Sequence, residues 1–163
     1  MIARACAVPR DALLCAYVDR AGTYTDCFEV MLPGEAGLHD FIEAFYTTWL
    51  FRLERAVLSI ALRRRVRDHE VTALANAQAD SFAVWTVEGR EPTQILLRDL
   101  SGGTRSYLAV AGKQGGVTRL LFGSAVVGRA GQDFPVWLRA TMPLHRFYAK
   151  CLLRLAERKL RWG

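Results

Sequence analysis

The residues able to do acid–base, nucleophilic or metal chemistry are few and scattered in this sequence. His39, His69 and His145 form no His-x-His pair and no His-Glu-x-x-His helix face. Cys6, Cys15, Cys27 and Cys151 lie 9, 12 and 124 positions apart, which fits neither a zinc knuckle nor a Cys-x-x-Cys redox pair. The expectation is four free thiols, no metal and no cofactor. Gly112-Lys113-Gln114-Gly115-Gly116 lacks the Lys-Ser/Thr pair of a phosphate loop and reads as a turn. Gly123-Ser124-Ala125 lacks the second glycine of a nucleophile elbow and lies in a strand-like run. What remains for proton transfer is Asp99 and His145, with Arg98 or Arg105 able to stabilise developing negative charge. Asp99 falls on an otherwise apolar strand face, where an unpaired carboxylate is costly. His145 stands beside a helix start, so capping or packing competes with catalysis for it.

The chain that must position these groups has 163 residues, the size of one domain, with 52% hydrophobic and 23% charged residues. These proportions exclude disordered and collagen-like chains. No window of 18 consecutive residues is apolar and uncharged. The first twenty positions are interrupted by Arg4, Arg10, Asp11 and Asp19, so a cytoplasmic protein without integral membrane association is expected. The net charge of +6 is local: residues 52–67 carry a net +5 and residues 139–163 a net +6, leaving −5 for the rest. Such segments are usually solvated helix faces, and they also suit phosphates, anionic lipid or an acidic partner.

Residues 13–18 and 24–32 read as extended, the second run ending at Pro33-Gly34. Residues 1–23 then form an extension or an extra strand. Asp40 and Glu43 resemble a capping box, and Ile42, Phe45, Trp49, Leu53, Ala56 and Ile60 recur at helical intervals, giving a helix of about six turns. Leu50, Phe51 and Leu58 fall off that stripe, which points to a kink or a further contact. Asp68 can cap a second helix over residues 69–79. Runs at 81–88, 93–100, 104–112 and 117–127 follow, divided by Glu88-Gly89-Arg90, Gly102-Gly103 and Gly115-Gly116, as in an antiparallel meander. A two-residue turn at Gly102-Gly103 pairs Arg98 with Tyr107, Asp99 with Ser106 and Leu97 with Leu108. One face then holds Ile95, Leu97, Asp99, Ser106, Leu108 and Val110. Pro143 suits the first position of a last helix. Leu144, Phe147, Tyr148, Cys151, Leu152 and Leu155 form its buried stripe, and Arg146, Lys150, Arg154 and Arg158 a basic one. The fold class is α+β.

This order of strand, helices, sheet and long C-terminal helix resembles the helix-grip fold of the START, polyketide-cyclase and birch-pollen-allergen (SRPBCC) superfamily. Tyr24-Thr25-Asp26-Cys27-Phe28-Glu29-Val30-Met31-Leu32-Pro33 is similar to the opening strand of an uncharacterised bacterial family within it. Met142-Pro143-Leu144-His145-Arg146 is similar to the Pro-Phe-His-Arg start of that family's last helix, with Leu144 in place of phenylalanine. Leu97-Arg98-Asp99 and Arg105-Ser106-Tyr107 stand where the family has an acidic hairpin, without its histidine after the turn. The resemblance spans about residues 24–158. It implies a curved antiparallel sheet wrapped around the last helix, and a cavity between them.

Three functions compete. The first is binding of a small apolar molecule, lipid-like or polyketide-like, among Trp49, Trp85, Leu97, Ser106, Leu108, Phe122 and Tyr148, residues that could equally fill a core. The second is a cyclase- or dehydratase-like reaction in that cavity, using Asp99 or His145. The third is an interaction surface on the basic stripe. Nucleic acid is not expected, since no recognition motif accompanies the charge. The chain is expected to be a monomer or a homodimer.

Overall fold

The computed structural model describes residues 2–53, 56, 66–128 and 136–162. Along the chain run β1 (Arg4–Ala5), a 3-10 helix (Leu13–Tyr17), β2 (Thr23–Pro33), α1 (Leu38–Tyr46) and α2 (Asp68–Ala75). They are followed by β3 (Ser81–Phe82), β4 (Trp85–Glu91), β5 (Gln94–Asp99), β6 (Thr104–Gln114), β7 (Val117–Val127) and α3 (Val136–Trp162). The strands form one seven-stranded antiparallel sheet in the order β1-β2-β7-β6-β5-β4-β3. The chain is thus α+β, as its sequence order requires.

Strand alternation gives the sheet two apolar faces. On one, Phe28, Val30, Leu32, Ile95, Leu97, Leu108, Leu120 and Phe122 pack beneath the helices. On the other, Cys27, Leu96, Tyr107, Leu121 and Ala125 lie beneath Leu14 and Tyr17. The segment before β2 therefore adds an edge strand and covers the second face. Residues 13–18 are not a strand: Cys15 N–H bonds to Ala12 O, and Leu13 N–H donates to the Gln94 side chain. Their apolar side chains are used for packing, not for strand pairing.

The six-turn helix is interrupted. α1 ends at Tyr46, where the Thr47 hydroxyl donates to Glu43 O at 2.5 Å and the Thr48 hydroxyl donates to Phe45 O at 3.0 Å. Thr48 Oγ1 also accepts from Phe51 N–H, which starts a new helical turn at residues 49–53. The restart changes the helical phase, so Phe51 is buried, whereas Trp49, Leu53 and Ala56 are exposed. Leu58 and Ile60 lie outside the described residues. Both helices start earlier than expected, α1 by three residues and α2 by one. Asp40 accepts from Gly37 N–H and Glu70 from Arg67 N–H, so Asp40 is a third-position residue and Asp68 is the first residue of α2, paired with Arg52. α2 stops at Ala75, short of 79, and Ala77 follows at φ 56°.

The meander has its expected strands with different punctuation. Glu88-Gly89-Arg90 is a bulge inside β4, and the turn falls at Pro92-Thr93. A Cβ on Gly89 would lie 3.2 Å from Leu13, so the bulge lets the 3-10 helix approach. Ala83, at φ 54°, divides β3 from β4. The β5–β6 register pairs Arg98 with Arg105, Leu97 with Ser106 and Ile95 with Leu108. The loop therefore spans Leu100 to Gly103, closed by Gly102 N–H to Asp99 O. Slippage by two residues preserves which face each side chain occupies, so the expected inner face survives a wrong register.

α3 packs on β2, β7 and α1. Pro143 lies inside this helix, not at its start. From residue 142 onward its buried residues are Ala149, Leu152, Leu153, Ala156 and Glu157, so only Leu152 of the expected stripe is buried. Leu144 and Phe147 face solvent, and Tyr148, Cys151 and Leu155 are half-buried.

Two predictions follow from the sheet. Glu29 on β2 accepts from Arg4 at 2.7 Å and Arg119 at 2.5 Å. Burial pushes its carboxyl pKa up, and the two arginines outweigh burial and hold it below the usual range. A depressed carboxylate stabilises the fold above its unfolded pKa and loses that contribution as pH falls through the folded one. Glu29→Gln should therefore cost about 1–2 kcal/mol at pH 7, since both arginines stay partly solvated. It should also flatten the loss of stability on acidification below about pH 4.5, read from urea unfolding at pH 7 and pH 3. At Gly123, a Cβ would lie 2.6 Å from Leu14 Cδ2 and 3.0 Å from Asp26 O, with Leu14 fully buried. Gly123→Ala should cost about 1–3 kcal/mol by overpacking and lower the Tm by several degrees in a thermal melt.

Candidate functional site

Even-numbered residues of β2, β6 and β7 face the helices, and their register turns three polar residues into one row. Asp26 pairs with Ser124, and Ser124 with Ser106. The next row inward is apolar: Phe28, Phe122, Leu108 and Ile95 are aligned across four strands. The helix-facing side of the sheet thus has an oily body with one polar edge.

A cavity of about 230 Å³ lies at this boundary. The sheet contributes Trp85, Ser106, Phe122 and Ser124, α1 contributes Phe45, the turn after it Phe51, and α3 contributes His145, Tyr148 and Leu152. Tyr46 Oη and Ser106 Oγ, 3.0 Å apart, satisfy each other. Trp85 Nε1 is buried without a hydrogen-bond partner among the described residues, an orphan donor on a cavity-lining side chain.

At the polar edge, Ser124 donates to Asp26 Oδ1 at 2.6 Å, and His145 Nε2 lies 3.0 Å from Ser124 Oγ and 3.6 Å from Asp26 Oδ2. Tyr24 Oη donates to Asp26 Oδ2 at 3.3 Å. Burial raises the Tyr24 pKa, and the Asp26 charge adds to it. Because the Ser124 proton is committed to Asp26, His145 must carry its proton on Nε2 to complete the bond. That order differs from a serine-nucleophile triad, in which the histidine accepts the serine proton. The cluster instead anchors an imidazole against a buried carboxylate. The ring also lines a groove on the outer side of α3, so His145 and Tyr148 stand between cavity and groove.

Of the residues singled out in the sequence, Trp85, Arg105, Ser106, Phe122, Tyr148 and His145 line this cavity, Arg105 with its guanidinium directed away from it. Leu97 and Leu108 are fully buried in the packed core and do not line it, and Trp49 lines the outer groove. Asp99 is spent on its own loop: its carboxylate accepts from Ser101 Oγ at 2.5 Å and Thr104 N–H at 3.1 Å. Burial pushes its pKa up, and these bonds, with further loop N–H groups, more than offset that. Asp99 and His145 therefore do not share the cavity. Arg105 reaches the opposite face, where it bonds to Tyr17 at 2.9 Å and Glu88 at 3.0 Å, and Arg98 is exposed.

Ser124 was weighed only as a nucleophile-elbow serine and Asp26 only as part of the opening strand, and their pairing was missed. Strand parity could have found them, since Asp26 alternates with Phe28, Val30 and Leu32, and Ser124 with Leu120 and Phe122. Elsewhere the Cys6 and Cys27 thiols are hydrogen-bonded to each other, which lowers the Cys6 pKa and raises that of Cys27. All four cysteines are free, and Cys151 lines the outer groove instead of being fully buried. Among the described residues no three His, Cys, Asp or Glu side chains converge as metal ligands, and no helix is long and apolar enough to cross a membrane. Comparison of the chain with protein-family models, curated proteins and solved structures gives no match.

Proposed function

We propose that this chain binds a small, largely apolar molecule between its sheet and its C-terminal helix. The observation that carries the reading is the 230 Å³ cavity with an orphan Trp85 N–H and a polar edge. Aromatic walls favour an apolar or ring-shaped body. The Trp85 donor favours a carbonyl or ether oxygen, and the Ser124–His145 pair a second polar group. At about 25–30 Å³ per non-hydrogen atom the space suits roughly eight or nine such atoms. That is smaller than the lipid- or polyketide-like ligand expected from the sequence, and below the common range of about 300–1,000 Å³ for drug-sized pockets. The placement of α3 across β2 and β7 supports reading the architecture as helix-grip, with the SRPBCC superfamily as its proposed relation.

A second reading is favoured by one observation, the anchoring of His145 by Asp26 through Ser124. An imidazole held at a cavity wall can pass a proton to a bound ligand, as in a cyclase or dehydratase reaction. Asp99 has no part in this version, and Asp26 takes the supporting role.

The first test is native mass spectrometry of the purified chain with organic extraction, followed by titration of the emptied chain with small cyclic ketones and phenols. Binding should shift the Trp85 indole N–H resonance, and Ser124→Ala should weaken a polar-headed ligand about five- to tenfold, the worth of one hydrogen bond. An extract without a ligand, combined with an indole resonance unmoved by every compound, would overturn the proposal.

A further inference from the structure

We infer that the outer face of α3 is a docking surface for an anionic membrane, reached peripherally and distinct from the inner cavity. At 3.6 residues per turn, Ala149, Leu152, Leu153 and Ala156 share the arc of α3 turned to the sheet. Leu144, Phe147, Cys151, Leu155 and Trp162 fall on the opposite arc. A helix needs one apolar face to join a core, and this one has a second.

The second arc is open. Leu144 is 69% exposed, Phe147 66% and, across the groove on the turn after α1, Trp49 66%. Together with Leu155 they line an outer groove of about 720 Å³. Trp162 and Leu53 add two more exposed large apolar side chains. Contiguous exposure of this kind marks an interaction surface on a soluble fold.

Charge selects the occupant. Arg154 and Arg158 line the groove, no carboxylate does, and neither arginine has an acidic partner among the described residues. A second copy seated face to face would bring arginines against arginines around an apolar seam, a like-charge contact that opposes self-pairing. An anionic bilayer supplies both needs: Leu144, Phe147 and Trp49 enter the headgroup boundary, and the guanidinium groups meet lipid phosphates. Tryptophan at the edge of such a surface fits its interfacial preference.

The test is co-sedimentation of the full chain with vesicles of phosphatidylcholine, with and without 30% phosphatidylglycerol. The native chain should bind the anionic vesicles, and binding should fall as salt is raised. Arg154→Glu with Arg158→Glu should weaken partitioning at least about tenfold. Phe147→Glu should abolish binding, and its thermal melt should match the native one because the side chain is exposed. Three results would each overturn the inference: no binding to anionic vesicles, Phe147→Glu binding as well as the native chain, or a micromolar dimer that Phe147→Glu dissociates. The cavity ligand and vesicle binding are scored separately, so either proposal can fail alone.

Discussion

The β2–β7 pairing is the constraint on which the remaining structure depends. Eleven residue pairs run from Thr23↔Val127 to Pro33↔Val117, joining the first long strand to the last, neighbours in the sheet but distant in sequence. These contacts are far apart in sequence, so forming them carries the largest loop-closure cost in the sheet. The pairing sets the alignment of Phe28 with Phe122 and of Asp26 with Ser124, and it makes the platform on which α3 lies. A slip of one residue would turn Asp26 outward and place Cys27 beneath the helix. Such a slip is opposed from both sides: Phe28, Val30 and Leu32 need the helix-facing core, and Glu29 needs Arg4 and Arg119 on the other face.

This register also makes a buried polar edge tolerable. Asp26 is nearly enclosed, and an isolated carboxylate there would be expensive. Ser124, Tyr24 and His145 approach it from β7, β2 and α3, so its acceptor capacity is met by groups that the strand alignment and the helix deliver together. The same economy is absent at Trp85, whose indole N–H, like Thr23 Oγ1 and Arg161 Nε, is buried without a partner among the described residues. Of these three groups only Trp85 lines the cavity, so the polar edge is satisfied through three elements while the neighbouring indole is not.

Much of the fold was legible because strand period and turn chemistry are local properties. β2, β5, β6 and β7 lie within a residue or two of where alternation and paired glycines place them. The face of each residue was legible for the same reason, and it survived the two-residue register error at Gly102-Gly103. The helices were less legible because helical phase accumulates: the off-stripe Leu50 and Phe51 pointed to a kink, but its place at Thr47-Thr48, which moved Phe51 in and Trp49 and Leu53 out, was not readable from spacing. Pro143 misled in a similar way, since its suitability for a helix start does not prevent a helix from beginning seven residues earlier. In the site, His145 and the aromatic lining were readable from type and spacing. Asp99 was not, because its role depends on a four-residue loop whose length the glycine pair concealed.

The phase error on α3 carries physical information. The sequence contains one strong apolar stripe through Leu144, Phe147, Cys151 and Leu155, and hydrophobic patterning alone assigns it to the core. The core takes the arc of Ala149, Leu152, Leu153 and Ala156 instead. Lys150, whose ammonium lies 5.6 Å from the Phe28 ring centre, marks the border between the arcs. Nearer its start the helix presents His145 and Tyr148, which with Leu152 border the cavity above Phe122. The inner arc thus mixes two alanines with Leu152 and Leu153, and the stripe that patterning alone would bury leaves Leu144 and Phe147 on the outer face.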